Sequence, residues 1–326
     1  MLADRIAPDD PVSGLAVRDV PEPEAPDGWT TVEVRATSIN HHDVWSLKGV
    51  GLKEEQLPMI LGTDAAGIDA DGRRVVVHSV IGDPAAGGGD ETFDPKRSLL
   101  SERYPGTFAE RVAVPRRNLV PLPDELSFEE GCCLPTAWLT AYRMIVTRSG
   151  LPAGGGGTVL IQGAGGGVAT AALALAKALG HTVFVTSRSE ERRQRALADG
   201  ADAALEPGER PPAKADAVLD SVGEAVWDHS LRALRPGGVL VSCGATSGFN
   251  PPAGLNRIFF LQLSVVGSTM GTLQELEALI AFMVESGLRP TIDSVHALAD
   301  AAAGIAKVAA GDVHGKVVLV PGDETV

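Results

Sequence analysis

The feature that most constrains this chain is an alternation of apolar runs and helical segments between residues 154 and 267. The run at 158–162 leads into the glycine cluster 163–167, which opens an Ala- and Leu-rich helical segment. Continuous apolar strands separated by helices form parallel sheets that helices cover on both faces. We therefore predict a doubly wound α/β domain with a parallel sheet. Its further predicted elements are strands at 182–186, 201–205, 217–220, 238–242 and 263–267, a charged helix ending at Asp199, and a helix over 227–234.

The chain on either side of this segment is predicted to form a second, β-rich domain. We expect this domain to consist of residues 1–127 and 272–326, with the doubly wound domain formed by residues 128–271. The pattern of apolar and polar residues predicts strands at 30–39, 72–78, 108–114 and 316–320, a surface loop at 82–104, and helices over 126–148 and 273–286.

The glycine cluster lies between a strand and a helix, which is the setting of a dinucleotide site. Glycines let the backbone approach a pyrophosphate, and the first N–H groups of the helix point at it. The literal GxGxxG pattern is absent, and the best register places Ala164, Gly166 and Ala169 at its three positions. We predict that Ala164, Gly166, Gly167 and Val168 bind the cofactor.

The end of the second strand of this domain predicts which cofactor is bound. In NAD-binding domains an acidic residue about 20 positions past the glycines binds the ribose diol. Here that place holds Ser187 and Arg188, with Arg192 and Arg193 one turn later. Hydroxyl and guanidinium groups suit a 2′-phosphate, so NADPH is the predicted cofactor. The alternative is that these arginines only solvate a helix.

The charge balance excludes several classes of partner. Lys and Arg number 28 against 42 Asp and Glu, which gives a formal net charge of −14. Such a chain does not attract nucleic acid by bulk electrostatics. No apolar run reaches the roughly 18 residues of a membrane helix, no signal peptide is apparent, and three cysteines provide no disulfide framework. We expect a cytoplasmic protein that acts on a small molecule, with no membrane partner.

Three further motifs carry a family resemblance: SINHHDVW at 38–45, LGTDAAG at 61–67 and LPTAWLTAY at 134–142. With the glycine cluster, they resemble the medium-chain dehydrogenase/reductase superfamily, which contains zinc alcohol dehydrogenases and quinone oxidoreductases. The resemblance covers nearly the whole chain. It implies a GroES-like catalytic domain together with a Rossmann nucleotide-binding domain. It also implies a homo-oligomer, with a strand edge of the nucleotide-binding domain as the expected contact.

The ligand positions of the zinc-dependent members differ in this chain. Asn40 and Thr63 stand where those members carry a Cys and a His, and Cys133 could align with a third ligand. The lobe that normally carries four cysteines corresponds to the cysteine-free stretch 82–104. Amide and hydroxyl groups are poor ligands for Zn²⁺, so we predict no metal. The alternative is an atypical metal site, whose candidate ligands are His41, His42, Asp64 and Cys133.

Asn40 makes the chain similar to the zinc-free quinone oxidoreductases and enoyl reductases, in which this Asn holds the nicotinamide ribose or the substrate. Trp45 stands where those relatives commonly have a Tyr acid, and its indole cannot usefully supply a proton. His42 lies where alcohol dehydrogenases place a proton-relay hydroxyl, so it is the candidate proton donor. A purely structural histidine is the alternative. We predict that His41 and His42 lie on an extended segment and point to opposite faces, and that Asp43 orients its neighbours.

The resemblance also implies further cofactor contacts. Thr140 opens towards the cofactor, and Lys316 reaches its pyrophosphate. The remaining residues with an implied cofactor contact are Gly244, Ala245 and Thr246 in a loop over the nicotinamide, and Ser268, Thr269 and Met270 in a backbone run that binds the carboxamide.

Together these observations predict a zinc-independent, NADPH-dependent oxidoreductase. It would transfer hydride to a quinone or to the activated C=C bond of an α,β-unsaturated carbonyl, with Asn40 and His42 near the developing negative charge. Two alternatives remain open. One is an alcohol dehydrogenase with an atypical zinc site, and the other is an NADPH-binding sensor or partner protein with little catalysis.

Overall fold

A computed structural model describes residues 1–322 of the chain, which divide into two compact units. The first unit contains Met1–Leu139 and the chain from Met270 onward, and the second contains Thr140–Thr269. The first boundary therefore lies further along the chain than residue 127, and the second lies close to residue 271.

The strands have the following bounds: β1 Leu2–Ala3, β2 Leu15–Ala16, β3 Trp29–Ile39, β4 Met59–Ile60, β5 Asp64–Asp69, β6 Arg74–Val77, β7 Val80–Ile81, β8 Ser98–Leu99, β9 Arg111–Pro115, β10 Leu119–Pro121, β11 Thr158–Gln162, β12 Thr182–Thr186, β13 Ala203–Leu205, β14 Ala215–Asp220, β15 Leu234–Ser242, β16 Ser264–Gly267, β17 Ile292–Ala297 and β18 Lys316–Val320. The α-helices are α1 His41–Leu47, α2 Phe128–Gly131, α3 Leu139–Arg143, α4 Gly167–Ala178, α5 Glu190–Ala198, α6 Trp227–Ala233, α7 Leu255–Phe260, α8 Leu273–Ser286 and α9 Ala301–Ala310.

The first unit is built on a seven-stranded sheet with β3 near its centre. The strand order is β10-β6-β5-β3-β18-β17, and β9 also pairs with β3. The antiparallel register sets Ser38 of β3 opposite Asp64 of β5, and Ile39 of β3 opposite Val317 of β18. Three polar residues (Asn40, Asp64 and Lys316) are therefore brought to the same end of this sheet.

The second unit is the doubly wound domain that the sequence predicts. Its six strands are parallel, in the order β13-β12-β11-β14-β15-β16. Leu160, Val218 and Leu240, on the inner strands β11, β14 and β15, are fully buried, because both faces of the sheet are covered. The carboxyl ends of the inner strands meet at one edge, where ligands of such sheets bind.

The helix predicted over 126–148 is interrupted. It consists of α2, a π-helical turn at Leu134–Trp138, α3 and a second π-helical turn at Met144–Arg148. Pro135 has no N–H to donate to a preceding carbonyl, so a regular α-helix cannot pass through it. The first part of this segment packs against β3, β5 and α8, which explains why it belongs to the first unit.

The stretch 82–104 is less exposed than a surface loop. It contains a 3₁₀ turn at Glu91–Phe93 and strand β8, and Leu100 within it is fully buried. The polar composition of this stretch led to the prediction of a surface loop, although the buried Leu100 packs it against the rest of the unit. In the described part of the chain, no helix is long and apolar enough to cross a membrane.

Candidate active site

Three buried polar side chains meet at the end of the first unit's large sheet. The Lys316 ammonium donates hydrogen bonds to Asn40 Oδ1 at 2.5 Å and to the Ile39 carbonyl at 2.9 Å. It also contacts Asp64 Oδ2 at 3.3 Å. Lys316 is 2% exposed and Asp64 is fully buried, so the ion pair is shielded from water.

These contacts correct the predicted role of Lys316. Its three N–H donors are directed to Asn40, Asp64 and the Ile39 carbonyl. A side chain buried in this way has no donor left for a pyrophosphate. Lys316 instead supplies the positive charge that neutralises Asp64.

Both the nitrogen and the oxygen of the Asn40 side-chain amide form hydrogen bonds within the cluster. Its Nδ2 donates to Asp64 Oδ2 at 2.7 Å and to Thr63 Oγ1 at 3.1 Å, while its Oδ1 accepts from Lys316. The side chain is almost fully buried. Lys316, Asp64 and Thr63 thus hold the Asn40 amide in place, and its expected contact with a ribose or a substrate stays a prediction.

Asp43 fixes the start of helix α1. Its Oδ2 accepts the Asn40 backbone N–H at 2.8 Å, and its Oδ1 accepts the Gly62 backbone N–H at 3.0 Å. Gly62 has φ +96°, where a Cβ would collide with Phe108 and Thr107. Burial raises the pKa of the Asp43 carboxyl to about 6. Asp43 therefore orients its neighbours, as predicted.

His42 has one partner, Glu102, from the stretch that was predicted to be a surface loop. His42 Nε2 lies 3.1 Å from Glu102 Oε1. The Nδ1 atom is buried and has no partner among the described residues. Burial lowers the pKa of His42, but the hydrogen bond to Glu102 and the charges of Asp43, Glu102 and Asp64 outweigh it, so the pKa is raised. The arrangement can hold a proton on the imidazole near neutral pH.

The segment that carries His41, His42 and Trp45 is helical, not extended. All three lie on α1, which begins at His41 directly after β3. The prediction of opposite faces was wrong because the Asp43 cap starts a helix at this point. His41 is exposed, and its ring contacts Trp45 edge-on at a centroid distance of 5.7 Å.

Three of the four candidate ligands of an atypical metal site bind other groups, and the ring of the fourth, His41, contacts Trp45. The Cys133 thiol donates to the Glu129 carbonyl at 3.1 Å, His42 pairs with Glu102, and Asp64 pairs with Lys316. Within residues 1–322, no three His, Cys, Asp or Glu side chains are grouped so as to hold a metal ion.

In the second unit, the glycine cluster forms the start of helix α4. Gly165 has φ +102°, a left-handed conformation that favours glycine. Gly166 is the N-cap residue, and no side chain caps the helix. The first N–H groups of α4 therefore have no intrahelical acceptor. Space around the Gly166 Cα is open, so the cluster fits a pyrophosphate.

Of the residues predicted to recognise the 2′-phosphate, Ser187 and Arg188 directly follow β12, and Arg192 and Arg193 lie on α5. The Ser189 N-cap accepts the Arg192 backbone N–H. Arg193 is buried, and it donates to the Ser187 carbonyl and pairs with Glu190 and Glu206. Arg188 is exposed and forms no ion pair within the described chain. The Arg188 guanidinium is therefore available to a phosphate.

The predicted cofactor residues that follow β15 and β16 lie at the same edge of the sheet. Gly244, Ala245 and Thr246 follow β15, and the Thr246 N–H donates to the Ser221 carbonyl. Ser268 follows β16, and its buried hydroxyl has no partner among the described residues. Thr269 is exposed and Thr140 is buried. Met270, which belongs to the first unit, has the unusual φ of +50°.

Two interactions of the site were missed from the sequence. Glu102 was missed because it lies in a polar stretch with no pattern. The pairing of Lys316 with Asp64 joins residues 252 positions apart, and no local signal reports such a contact.

The chain matches the zinc-binding dehydrogenase family over residues 167–285 and the alcohol dehydrogenase GroES-like domain over residues 26–124. A crystal structure of an NAD-dependent alcohol dehydrogenase is similar with TM-score 0.89 and 33% identity, over 99% of this chain and 100% of the other. A crotonyl-CoA reductase of Streptomyces avermitilis is 28% identical over 94% of this chain and 80% of its own length. A quinone oxidoreductase of Pseudomonas aeruginosa is 29% identical over 94% of this chain and 95% of its own length.

The fold and the glycine-rich sheet edge define an oxidoreductase with a nicotinamide cofactor-binding fold. The chain belongs to the medium-chain dehydrogenase/reductase superfamily. This confirms both the resemblance and the predicted fold class, a GroES-like domain with a Rossmann-type parallel sheet.

The pKa of Asp43 makes stability depend on pH. Folded Asp43 keeps its proton up to a pH of about 6, whereas its ordinary value is 3.8. Between pH 3.8 and about pH 6 the folded state therefore binds more protons than the unfolded state. The contribution of Asp43 to the free energy of unfolding falls by about 3 kcal/mol as the pH rises through this range. We expect Asp43→Asn to remove this decline in urea denaturation measured between these two pH values. Asp27→Asn, at an exposed carboxylate, is the matched control. If the free energy of unfolding of Asp43→Asn declined with pH as steeply as that of the native chain, the pKa of Asp43 would not be the cause.

Proposed function

We propose that this protein is a zinc-independent, NADPH-dependent reductase of quinones or of C=C bonds conjugated to a carbonyl. The observation that carries the proposal is the contact of Lys316 with Asn40 and Asp64. It sets an ammonium group directly against Asn40, which stands at a zinc-ligand position of related enzymes. The names of the crotonyl-CoA reductase and the quinone oxidoreductase support the same class of acceptor.

The donor set does not fit a catalytic zinc. Asn40 and Thr63 offer an amide and a hydroxyl, which are poor ligands for Zn²⁺, and they already hydrogen-bond to each other at 3.1 Å. A divalent ion would also have to lie close to the Lys316 ammonium, which already pairs with Asp64. Repulsion between these charges disfavours the ion. No step of the proposed reaction therefore uses a metal.

The nicotinamide supplies the hydride when it is bound, and the chain supplies binding and proton handling. The uncapped start of α4 binds the pyrophosphate through backbone N–H groups. His42 holds the proton, because Glu102 at 3.1 Å stabilises its charged form. Glu102 is a positioning residue for this imidazole. The proton goes to the carbon or oxygen that becomes basic after hydride addition.

Alcohol oxidation is the second candidate, and the similarity to an NAD-dependent alcohol dehydrogenase favours it. The two candidates differ in the direction of hydride transfer and in the metal. An alcohol dehydrogenase with a zinc site loses activity with a chelator, whereas the proposed reductase does not. Cofactor binding without turnover of either substrate class would instead indicate a sensor or partner protein.

The cofactor preference rests on Arg188. Its guanidinium is exposed beside the end of β12 and has no ion-pair partner within residues 1–322. Guanidinium groups bind phosphate oxygens with paired hydrogen bonds. NADPH, with its 2′-phosphate, is therefore preferred over NADH in this proposal.

We also propose that the protein is a homo-oligomer that pairs through the edge strand β16. This strand ends the order of the second sheet, so one of its sides has no neighbouring strand in the described chain. Beside it, Leu255, Phe259 and Phe260 of α7 are 68%, 71% and 79% exposed. An unpaired edge strand next to exposed apolar side chains is typical of an association surface.

The proposed proton donor can be tested by NADPH oxidation in excess chelator, with a panel of enones, enoyl thioesters and quinones. We expect turnover by the native chain, with kcat falling at alkaline pH above the raised pKa of His42. His42→Gln should lower kcat for enones about 100-fold and abolish this alkaline limb. The effect on quinones should be smaller, because water readily protonates their oxygens. His41→Gln, at an exposed residue of the same helix, should behave as the native chain. A native pH profile in the His42 variant would exclude it as the donor.

The proposed cofactor preference predicts a selective effect at Arg188. We expect Arg188→Ala to raise the KM for NADPH about tenfold and to leave the KM for NADH unchanged. Arg195→Ala removes an exposed guanidinium from the same region, where it pairs with Glu191, and serves as the matched control. Steady-state kinetics with both cofactors measure the outcome. Equal changes for the two cofactors would contradict the assignment.

The proposed association surface predicts a change in molecular mass. We expect light scattering of the native chain to give a multiple of 33.7 kDa. Phe260→Glu should shift the protein towards the monomer, because it places a charge on the apolar face of α7. Leu197→Glu, at another exposed apolar residue of the second unit, should leave the mass unchanged. A monomeric native chain would refute this part of the proposal.

A further inference from the structure

A cavity of about 320 Å³ in the second unit is lined by positively charged side chains. The segment that leads into β14 contributes Arg210 and Lys214, and the end of α6 contributes Arg232. No Asp or Glu is among the residues that line it. Since the chain as a whole carries a net charge of −14, this concentration of cations does not follow from composition.

The positive charge in this cavity is only partly neutralised. Arg232 pairs with Asp228 at 3.0 Å, and Lys214 donates one hydrogen bond to the Arg232 carbonyl. Arg210 has no hydrogen bond or ion pair within residues 1–322. Partial burial lowers the pKa of Lys214, and the charges of Arg210, Arg257 and Arg232 lower it further. An anion bound here would relieve this repulsion.

The walls of the cavity are held in place. Pro211 and Pro212 lie between the two cations of the segment and restrict its backbone. His229 accepts from Gln162 Nε2 through Nδ1 at 3.0 Å and donates from Nε2 to the Glu209 carbonyl at 2.8 Å. These bonds connect the segment to α6 and to β11. A site formed in advance binds its ligand at a lower entropic cost.

The cavity is distinct from the dinucleotide edge of the sheet. Lys214 directly precedes β14, and Ala233 directly precedes β15, so both lie at the amino ends of these strands. The glycine cluster follows β11, at the carboxyl ends. A strand of the length of β14 spans about 16 Å, so a phosphate bound at the glycine cluster does not occupy the cavity.

We propose that this cavity binds a small phosphate-bearing anion with at least two negative charges, in addition to the cofactor of the neighbouring edge. The Arg210 guanidinium offers paired donors that match phosphate oxygens, and Lys214 adds a point charge. The volume admits a pyrophosphate group or a sugar phosphate. Free polyphosphate and a sugar phosphate share this chemistry, and the experiment separates them.

The test is isothermal titration calorimetry of the full-length chain with inorganic pyrophosphate and, separately, with ribose 5-phosphate. We expect one site, with affinity that falls as salt is added. Arg210→Gln should weaken binding about tenfold. The free energy of unfolding should not fall in this variant, because Arg210 has no hydrogen bond or ion pair within the described chain and its charge repels Lys214. Tighter binding of pyrophosphate identifies a free polyphosphate ligand, and tighter binding of ribose 5-phosphate identifies a sugar phosphate.

Gly166→Asp is the control that separates the cavity from the glycine cluster. Its side chain enters open space, and its carboxylate repels phosphate from the start of α4. Binding in the cavity should survive this change. Binding that is lost in Gly166→Asp but retained in Arg210→Gln would place the anion at the glycine cluster and overturn the proposal. The absence of binding to the native chain at millimolar concentrations of both ligands would overturn it as well.

Discussion

The buried pairing of Lys316 with Asp64 is the interaction on which the first unit depends most. A buried charge that loses its partner destabilises a protein by about 3–5 kcal/mol. The two residues come from β18 and β5, which flank β3, and they meet because Ser38 lies opposite Asp64 and Ile39 opposite Val317. A slip of one residue would turn the side chains of a strand to the other face. The pair and the register of the sheet therefore stabilise each other.

The candidate sites of the two units are built in different ways. In the first unit, the geometry depends on side chains that neutralise and position one another, such as Asn40 between Lys316 and Asp64. In the second, it depends on backbone N–H groups at the start of α4 and on the left-handed conformation of Gly165. A single substitution of a polar residue is therefore expected to disrupt the geometry of the first site. The second site is expected to tolerate most substitutions of its side chains, provided that its glycines remain.

The sequence-based predictions were accurate where a structure depends on neighbouring residues and failed where it depends on residues far apart in the chain. The strands at 158–162, 182–186 and 316–320 and the helix over 273–286 were predicted to the residue, because local periodicity reports which face is buried. The break at Pro135 has a local cause that the helical pattern concealed. The position of Lys316 and the contact of His42 with Glu102 could not be predicted, because they depend on which distant segments the sheet brings together.

The sequence separation of Lys316 and Asp64 has a consequence for the order of folding. The residues are 252 positions apart, and the whole second unit lies between them in the chain. Contacts of such long range form late, since the intervening loop must first be closed. During synthesis, the parallel sheet of the second unit is complete before β18 has been made, while Asp64 still lacks its cation. A chain interrupted before β18 would therefore retain a nucleotide-binding sheet but no finished polar centre.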